Sequence, residues 1–476
     1  MPASIFPDLK TLLPAVRSAL RAWHTVGGTS ATLLEGLRLV HERRAALGVE
    51  ANPAALRRAA NDILITGLDE LATQDTRGAA VLRMRFLDAD KALKVASRLN
   101  LSHDTINRAQ RAAIHRLAEI LWSRELICRE RHIHTQEDNL QPAQYTQLFG
   151  LDQAGGQLLK QLLKPQAPWV AAIVGIGGIG KTALADATAR HVIRQFRFDR
   201  TLWLRSESSR LNPDAFTPAS RFAQLMTKLA EALWPAGLNG STPEERLRRV
   251  RQALKSYPHL IVIDNLETEA DTLYLVEHLN DLAAPSKFLL TARTRLSGQA
   301  AAFVLSLDEL GSKDALALLR QHATVIGQTD LAGMTAGKLK PIYRVVGGNP
   351  LALKLVVGLA TTQPLAQILA DLERSRPGEI EGLYRHIYWK AWQALSPDAR
   401  TLLQAMPLVA EPGAIPEQLR AISQLPDEKL WPSIHELATR SLLEVRGTAW
   451  ERRYGVHRLT ETFLKTEIIH WPDDAA

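Results

Sequence analysis

The chain has 476 residues, of which 46% are hydrophobic and 23% are charged, and its formal net charge is +8. This length predicts about three or four domains, and the near-average composition excludes a disordered or fibrous protein. The single cysteine excludes an internal disulfide, the first residues do not resemble a signal peptide, and no apolar run approaches the roughly 18 residues that cross a bilayer, so we expect a cytoplasmic protein without a membrane partner.

The first 134 residues predict an all-α domain. They are rich in Ala, Leu and Arg, and apolar residues recur at helical spacing, as at Leu64, Leu68 and Leu71. Residues 135–147 include Pro142 and show no apolar periodicity. We therefore predict a linker over 135–147, after the helical domain at 1–134.

Within this domain, residues of about 81–122 fit the template of a helix-turn-helix. Asn100 stands at the turn, where a positive φ is needed, and Ser102 suits the N-cap of the second helix. The five apolar positions that the template requires around Ala96 are filled by Val95, Leu99, Leu101, Ile106 and Ala109.

This segment resembles region 4 of bacterial sigma factors. The resemblance implies that the second helix contacts DNA through Thr105, Asn107, Arg108 and Arg111. A three-helix unit whose charged face contacts a protein or drives self-association fits the same pattern. Both interpretations stay open at this point.

From residue 148 onward, short apolar runs alternate with helical segments, as at Val170–Val174 and Leu260–Ile263. Such runs indicate strands buried on both faces, so we predict an α/β domain with a parallel sheet over 148–303. Helical patterns then return, which predicts a helical lid domain over 304–378. Helices followed by a hairpin predict a winged-helix domain over 379–470.

The run from Gly175 to Thr182 has the pattern of a P-loop, between a predicted strand and a predicted helix. Glycines let backbone N–H groups converge on phosphates, Lys181 reaches the β and γ phosphates, and the Thr182 hydroxyl binds Mg²⁺. We predict that ATP or ADP binds here. The predicted contacts are Gly175, Ile176, Gly177, Gly178, Ile179, Gly180, Lys181, Thr182 and Ala183.

A second signal is Asp264, which ends the apolar run Leu260–Ile263. An acid at that place holds the Mg²⁺ shell in P-loop proteins. Asn265 follows where many P-loop ATPases have a glutamate, and an amide cannot act as a base. Unless Glu267 or another group substitutes, hydrolysis is expected to be slow, which suits a switch better than a motor.

Together these motifs resemble the NB-ARC class of signalling NTPases, which includes plant disease-resistance proteins, apoptotic protease-activating factors and many bacterial regulators. The resemblance covers about 148–464. Phe288–Arg293 is similar to the sensor strand of that class, which implies that Arg293 reads the γ-phosphate and acts with Lys181 and Asp264 as a catalytic residue.

Two further motifs lie closer to the C-terminus. Gly347–Leu353 is similar to the Gly-x-Pro-Leu-Ala element, which implies that Pro350 packs on adenine. Tyr454–Leu459 occupies the place of the Met-His-Asp motif, which implies that His457 contacts the β-phosphate of ADP. One departure is the run Phe149–Asp152, because the family usually has Gly-Arg there.

The resemblance implies that ADP holds the winged helix on the nucleotide domain and that exchange for ATP releases it. We first consider a transcriptional or signalling regulator with a helix-turn-helix effector, which forms homo-oligomers in the ATP state. The alternative is a defence or death-type ATPase whose N-terminal helices recruit a protein or drive oligomerisation. Relatives usually continue into a sensor repeat, so a separate sensor protein or the N-terminal domain is expected to receive the signal.

Overall fold

A computed structural model of the chain describes residues 8–24, 33–47, 53–143, 145–206, 217–235, 237, 241–293, 301–374, 380–409, 413–448 and 450–469. Within these ranges no single helix is long and apolar enough to span a bilayer. Two helices, Ala336–Val346 and Pro350–Leu359, would reach that length and composition only together, across a bend of 116°.

The N-terminal unit is helical, as the sequence predicts. Its apolar faces meet in a core of their own, to which Leu12, Leu64, Leu68 and Leu117 belong. Its helices are α1 (Leu9–Arg21), α2 (Arg38–Ala46), α3 (Pro53–Gln74), α4 (Thr76–Leu82), α5 (Ala92–Arg98) and α6 (His103–Asp138).

The long helix α6 continues to Asp138, so residues 135–138 are not linker, which corrects the boundary predicted at 135. The polar residues of this last turn have partners on the next domain. The Gln136 Oε1 atom accepts a hydrogen bond from the Thr201 N–H at 2.8 Å, and Glu137 pairs with Arg194 at 2.9 Å. These contacts stabilise the last turn of α6 although its sequence shows no apolar periodicity.

Helices α5 and α6 enclose a short turn at Asn100, whose φ is +52°. The Ser102 Oγ accepts a hydrogen bond from the Thr105 N–H at 3.2 Å and caps α6. The five predicted apolar positions pack in one small cluster with Val81, Met84 and Ala96. The local features of the template are therefore present, while contact with DNA stays a prediction.

The middle of the chain is a five-stranded parallel sheet with helices, which confirms the predicted α/β fold class. The strands lie in the order β2-β3-β4-β1-β5. The strands are β1 (Val170–Val174), β2 (Arg200–Arg205), β3 (His259–Leu266), β4 (Lys287–Ala292) and β5 (Phe303–Ser306). The helices are α7 (Asp152–Leu163), α8 (Lys181–Ile193), α9 (Pro218–Leu233), α10 (Pro243–Ser256) and α11 (Glu269–Leu282).

Strand β5 crosses the domain boundary predicted at 303. It pairs with β1, in the register Ala171 to Phe303 through Val174 to Ser306. A four-residue strand at the sheet edge carries too short an apolar pattern to be read from the sequence. The sheet therefore ends later than predicted.

The remainder of the described chain is helical apart from one antiparallel hairpin. We call the helices α12 to α16 the lid and the elements from α17 onward the C-terminal unit. The lid contains α12 (Ser312–Val325), α13 (Thr329–Ala332), α14 (Ala336–Val346), α15 (Pro350–Leu359) and α16 (Leu365–Arg374). The C-terminal unit contains α17 (Ile380–Gln393), α18 (Pro397–Ala405), α19 (Pro416–Ser423), α20 (Asp427–Thr439), β6 (Glu444–Gly447), β7 (Arg452–Gly455) and α21 (Arg458–Phe463).

The lid and the C-terminal unit share one hydrophobic core in this arrangement. Their backbones approach closely at Gly358 of α15, where a Cβ atom would lie 2.5 Å from the Arg440 carbonyl oxygen. The order of helices before a hairpin agrees with the predicted pattern. The assignment of this unit as a winged helix stays a prediction.

Candidate nucleotide-binding site

The loop between β1 and α8 contains glycines at positions where a side chain would clash with neighbouring residues. Gly178 has a φ of +73°, and a Cβ atom there would lie 2.8 Å from the Cβ of Leu351. A Cβ atom on Gly175 would lie 2.9 Å from the Leu307 carbonyl oxygen. Glycine is therefore required at both positions for this loop to form.

Lys181, at the start of α8, turns its ammonium group back into the loop. Its Nζ atom donates hydrogen bonds to the carbonyl oxygens of Gly175 at 2.7 Å and Ile176 at 2.8 Å. Burial and the charge of Arg293 lower its pKa to about 8, against the opposing effect of Asp264. A partly desolvated cation in a glycine loop suits a phosphate ligand.

Asp264 lies at the carboxyl end of β3, and only 4% of its surface is exposed. Its Oδ1 atom accepts hydrogen bonds from the hydroxyl groups of Thr182, at 3.0 Å, and of Thr291. A carboxylate beside a hydroxyl is an oxygen donor set that fits Mg²⁺. The structure thus brings the two predicted metal ligands together.

Asn265 adopts a left-handed backbone conformation with a φ of +78°. Its N–H donates to the Thr291 hydroxyl at 2.8 Å, and its Nδ2 donates to the Ser206 carbonyl oxygen at 3.0 Å. Asparagine tolerates this conformation better than glutamate does. The residue that replaces the usual glutamate therefore has a structural role between β2 and β3.

Arg293 follows β4, and its N–H donates to the Leu266 carbonyl oxygen at 3.0 Å. Its guanidinium group lies 3.6 Å from a carboxylate oxygen of Glu267. Arg293 also lowers the pKa values of Lys181 and His457, so its charge acts on both. Glu267, the alternative base in the sequence analysis, is therefore paired with the predicted sensor arginine.

The lid contacts the loop through Asn349, a residue to which the sequence analysis assigned no role. Its side chain is fully buried, and its Nδ2 donates a hydrogen bond to the Gly177 carbonyl oxygen at 2.9 Å. Its Oδ1 accepts from the N–H groups of Leu351 and Ala352 and caps α15. An asparagine just before a helix-starting proline was the available signal.

The C-terminal unit also reaches the loop. A Cβ atom on Gly177 would lie 3.1 Å from the Cδ1 of Leu459. Two residues earlier, His457 caps α21, and its Nδ1 accepts a hydrogen bond from the Leu459 N–H at 3.2 Å. Lid and C-terminal unit therefore both contact the same glycine.

Burial lowers the pKa of His457 to about 4. Glu444 opposes this shift, whereas the cations Lys354, Arg205 and Arg293 add to it. The imidazole is therefore neutral at pH 7 and lies within the field of several basic groups. An anion in this region would relieve the repulsion between those groups.

The other predicted residues are placed as follows. Ile179 is buried in the core, Ile176 is 38% exposed, and Gly180 and Ala183 flank Lys181 and Thr182 at the start of α8. Pro350 is the first residue of α15. Leu151, from the run that departs from the family pattern, lies 3.8 Å from where a Cβ of Gly180 would be.

The four predicted DNA contacts lie apart from this site, on the first turns of α6. Arg108 and Arg111 are exposed, and Thr105 and Asn107 are half-buried. The Arg111 Nε donates to the Asn107 carbonyl oxygen at 3.3 Å.

Residues 151–326 match the sequence profile of the NB-ARC domain. They form an NB-ARC domain. The P-loop, Asp264 and Arg293 all lie within it, so this part of the chain is a nucleotide-binding domain of the P-loop class.

Among curated proteins, the chain is 27% identical over 309 residues to the regulatory protein AfsR of Streptomyces coelicolor, which covers 62% of this chain and 29% of that protein. It is 29% identical to AfsR of Streptomyces griseus, over 44% of this chain and 21% of that protein. It is 26% identical to the disease resistance protein RGA5 of Oryza sativa, over 47% of this chain and 20% of that protein. The chain thus spans less than a third of the length of these relatives.

Among solved structures, the chain is similar to a signal transduction ATPase with numerous domains and a tetratricopeptide repeat sensor, from Pyrococcus horikoshii. The TM-score is 0.44 and the identity 19%, over 69% of this chain and 43% of that one.

Proposed function

We propose that this chain is an ATP/ADP-operated switch in which the lid and the C-terminal unit close over the P-loop. The observation that carries the proposal is the position of Gly177. Its carbonyl oxygen accepts from Asn349 of the lid, and Leu459 of the C-terminal unit packs beside it. A change at the phosphates can therefore reach both the lid and the C-terminal unit through Gly177.

The charges of the site support a phosphate ligand. Arg205, Arg293 and Lys354 act electrostatically on His457 and Glu444 opposes them, while Arg293 and Asp264 act on Lys181. Lys181 and the loop N–H groups hold the phosphates, and Thr182 and Asp264 hold Mg²⁺, which neutralises phosphate charge when bound. Arg293 reads the γ-phosphate, His457 reads the β-phosphate, and Pro350 contacts adenine.

Slow hydrolysis belongs to this proposal. The Asn265 side chain donates to Ser206, and Glu267 pairs with Arg293, so neither is a ready general base. A long-lived nucleotide state suits a switch. The closed arrangement is favoured with ADP and the open one with ATP to the extent that the two nucleotides differ in affinity for them.

The proposed contact of His457 with the nucleotide is tested with His457→Ala. Loss of a phosphate contact is expected to raise the rate of ADP release by about tenfold. The control is His435→Ala on α20, because His435 is exposed in the same unit. Release of fluorescent ADP is the readout, together with identification of the nucleotide freed on denaturing the native protein. An unchanged release rate in the His457 variant, or a purified protein that binds neither nucleotide, contradicts the proposal.

The effector of this switch is proposed to be the N-terminal unit, acting on DNA as a transcriptional or signalling regulator. The regulatory relatives support this direction. Gel-shift of genomic fragments with ADP and with ATP tests it, with Arg108→Ala combined with Arg111→Ala as the variant. Salt-sensitive, sequence-selective binding that the variant loses is expected.

The disease-resistance relatives favour a second candidate, a defence-type ATPase. Its N-terminal helices recruit a protein or drive assembly into homo-oligomers in the ATP state. Light scattering of the protein with ATP and with ADP distinguishes the candidates. Assembly with ATP and no shift of any DNA fragment would favour this second function over the first.

A further inference from the structure

The N-terminal unit also contacts the NB-ARC domain, at the end of the sheet opposite the P-loop. Arg38, the first residue of α2, forms an ion pair with Asp199 at 2.9 Å, and their side chains are only 15% and 22% exposed. Asp199 directly precedes β2. The Arg44 guanidinium lies 3.7 Å from the centre of the Tyr257 ring, just before β3. These contacts form at the amino ends of two parallel strands.

Glu125 of α6 orients the start of α2 toward this contact. Its carboxylate is fully buried and accepts hydrogen bonds from the N–H groups of Arg38 at 3.0 Å and Leu39 at 2.9 Å. It also accepts from the Arg129 Nε at 2.7 Å. A carboxylate satisfies the free N–H groups of a helix start and favours its dipole. These hydrogen bonds fix the start of α2, and so the position of Arg38 relative to Asp199.

The same contact covers part of an exposed sheet edge. Strand β2 is the edge strand, and Gln136 of α6 accepts the Thr201 N–H at 2.8 Å. An unpaired edge N–H would otherwise be open to solvent or to another chain. The amide of Thr201 is therefore a direct reporter of whether the N-terminal unit is docked.

Some buried polar atoms at this interface lack a hydrogen bond among the residues that the structure describes. Three buried atoms at this contact have no hydrogen-bond partner within the described part of the chain, namely Arg38 Nε, Arg44 Nε and His259 Nδ1. Buried polar atoms without a partner favour exposure to water. Each side also has a hydrophobic core of its own, so separation does not require either core to unfold. It does expose Ile133 of α6 and the following Leu140, which pack in the core of the NB-ARC domain.

We propose that Phe196, whose ring packs against His132 and Arg129 of α6, forms with Asp199, Tyr257 and His259 a releasable docking surface for the N-terminal unit of the same chain. The Arg38–Asp199 pair is the contact that decides between the docked and the free arrangement. We call these four residues the Asp199 face. This inference does not depend on which nucleotide binds. It also suggests how the Asp199 face and the nucleotide site are coupled, because α8 and β2 both run from one to the other.

The test is Asp199→Asn in the full chain, because it removes the charge and keeps the shape. The expected result is hydrogen exchange at the Thr201 amide that is about tenfold faster or more, with a larger radius of gyration by X-ray scattering. Slow exchange at Ile261 of β3 checks that the domain stays folded. If the asparagine variant does not fold, Arg38→Gln addresses the same pair from the other side.

The matched control is Arg194→Gln. It removes the Arg194–Glu137 pair of the same interface, whose arginine is 61% exposed, and should leave both measurements unchanged. The exchanged pair, Arg38→Asp with Asp199→Arg, is expected to restore slow exchange at Thr201. Unchanged exchange and scattering in the Asp199 and Arg38 variants, or an equal effect in the control, would overturn the assignment.

Discussion

At the scale of single residues, Lys181 shows how the site is prepared for an anion. Burial and Arg293 keep its pKa near 8 while its Nζ contacts two loop carbonyl oxygens. Phosphate oxygens would favour the charged form and raise this pKa. The ammonium is then protonated over a wider pH range with nucleotide than without it.

This shift predicts proton uptake on binding. Near pH 8.5 part of the free protein carries a neutral Lys181, so binding of ADP is expected to take up a fraction of a proton. Near pH 6.5 the lysine is already charged and contributes no uptake. Calorimetry in buffers of different ionisation enthalpy measures the difference, and a binding enthalpy that does not depend on the buffer at pH 8.5 would contradict the expectation.

Asn349 is the second residue whose role can be isolated. Asn349→Ser keeps an oxygen that caps α15 but is too short to donate to the Gly177 carbonyl oxygen. The lost hydrogen bond is worth about 1 kcal/mol, so we expect about fivefold faster release of ADP with little change in thermal stability. Asn349→Ala, which also removes the cap, should lower the stability as well. Equal release rates in the serine variant and the native protein would argue against the contact.

At the scale of elements, the sequence predicted what local patterns encode. The apolar runs predicted buried strands, as at Val170–Val174 and Leu260–Ile263, and Asn100 and Ser102 predicted the turn before α6. Gly175 to Thr182 predicted the loop. What could not be predicted are pairings between distant segments, such as Asn349 with Gly177, because a hydrogen bond across 172 positions leaves no periodic signal.

The packing of the loop against α15 predicts the effect of Gly178→Ala. The new methyl group would lie 2.8 Å from the Leu351 Cβ, and alanine is strained at a φ of +73°. We expect at least about tenfold weaker nucleotide binding. In contrast, Gly156→Ala in α7 meets no atom within 4 Å and should raise the free energy of unfolding by about 0.5–1 kcal/mol. Titration with fluorescent ADP and thermal unfolding measure these effects, and native affinity in the Gly178 variant would show that the loop can adapt.

At the scale of the whole molecule, two buried histidines, His132 and His259, and the half-buried His41 lie at the joint between the N-terminal unit and the Asp199 face. Burial lowers the pKa values of His41, His132 and His259 to about 4 each, and the charge of Asp199 opposes this in all three. The charged groups that act on one or more of them are those of Arg38, Arg44, Asp199 and Arg200. The docked arrangement therefore favours neutral histidines.

The direction of the pH effect follows from these values. An exposed histidine has a pKa of about 6.5, so the free arrangement binds more protons between about pH 6.5 and pH 4. Docking is fully stable above pH 6.5 and weakens as the pH falls towards 4. X-ray scattering between pH 7.5 and pH 5 should show an increasing radius of gyration, with circular dichroism as the control for unfolding. A constant radius over this range would mean that the joint does not respond to protonation.

Helix α6 connects this joint to the predicted DNA contacts, so a small rotation at the joint displaces them. Its 36 residues form a continuous rod of about 54 Å, with the predicted DNA contacts at one end and Gln136 at the other. A tilt of about 10° at the Gln136 end would move the far end by about 9 Å, more than twice the rise of one base pair of about 3.4 Å. A rotation of this size at the Asp199 face would thus be converted at the distant tip into a change of register.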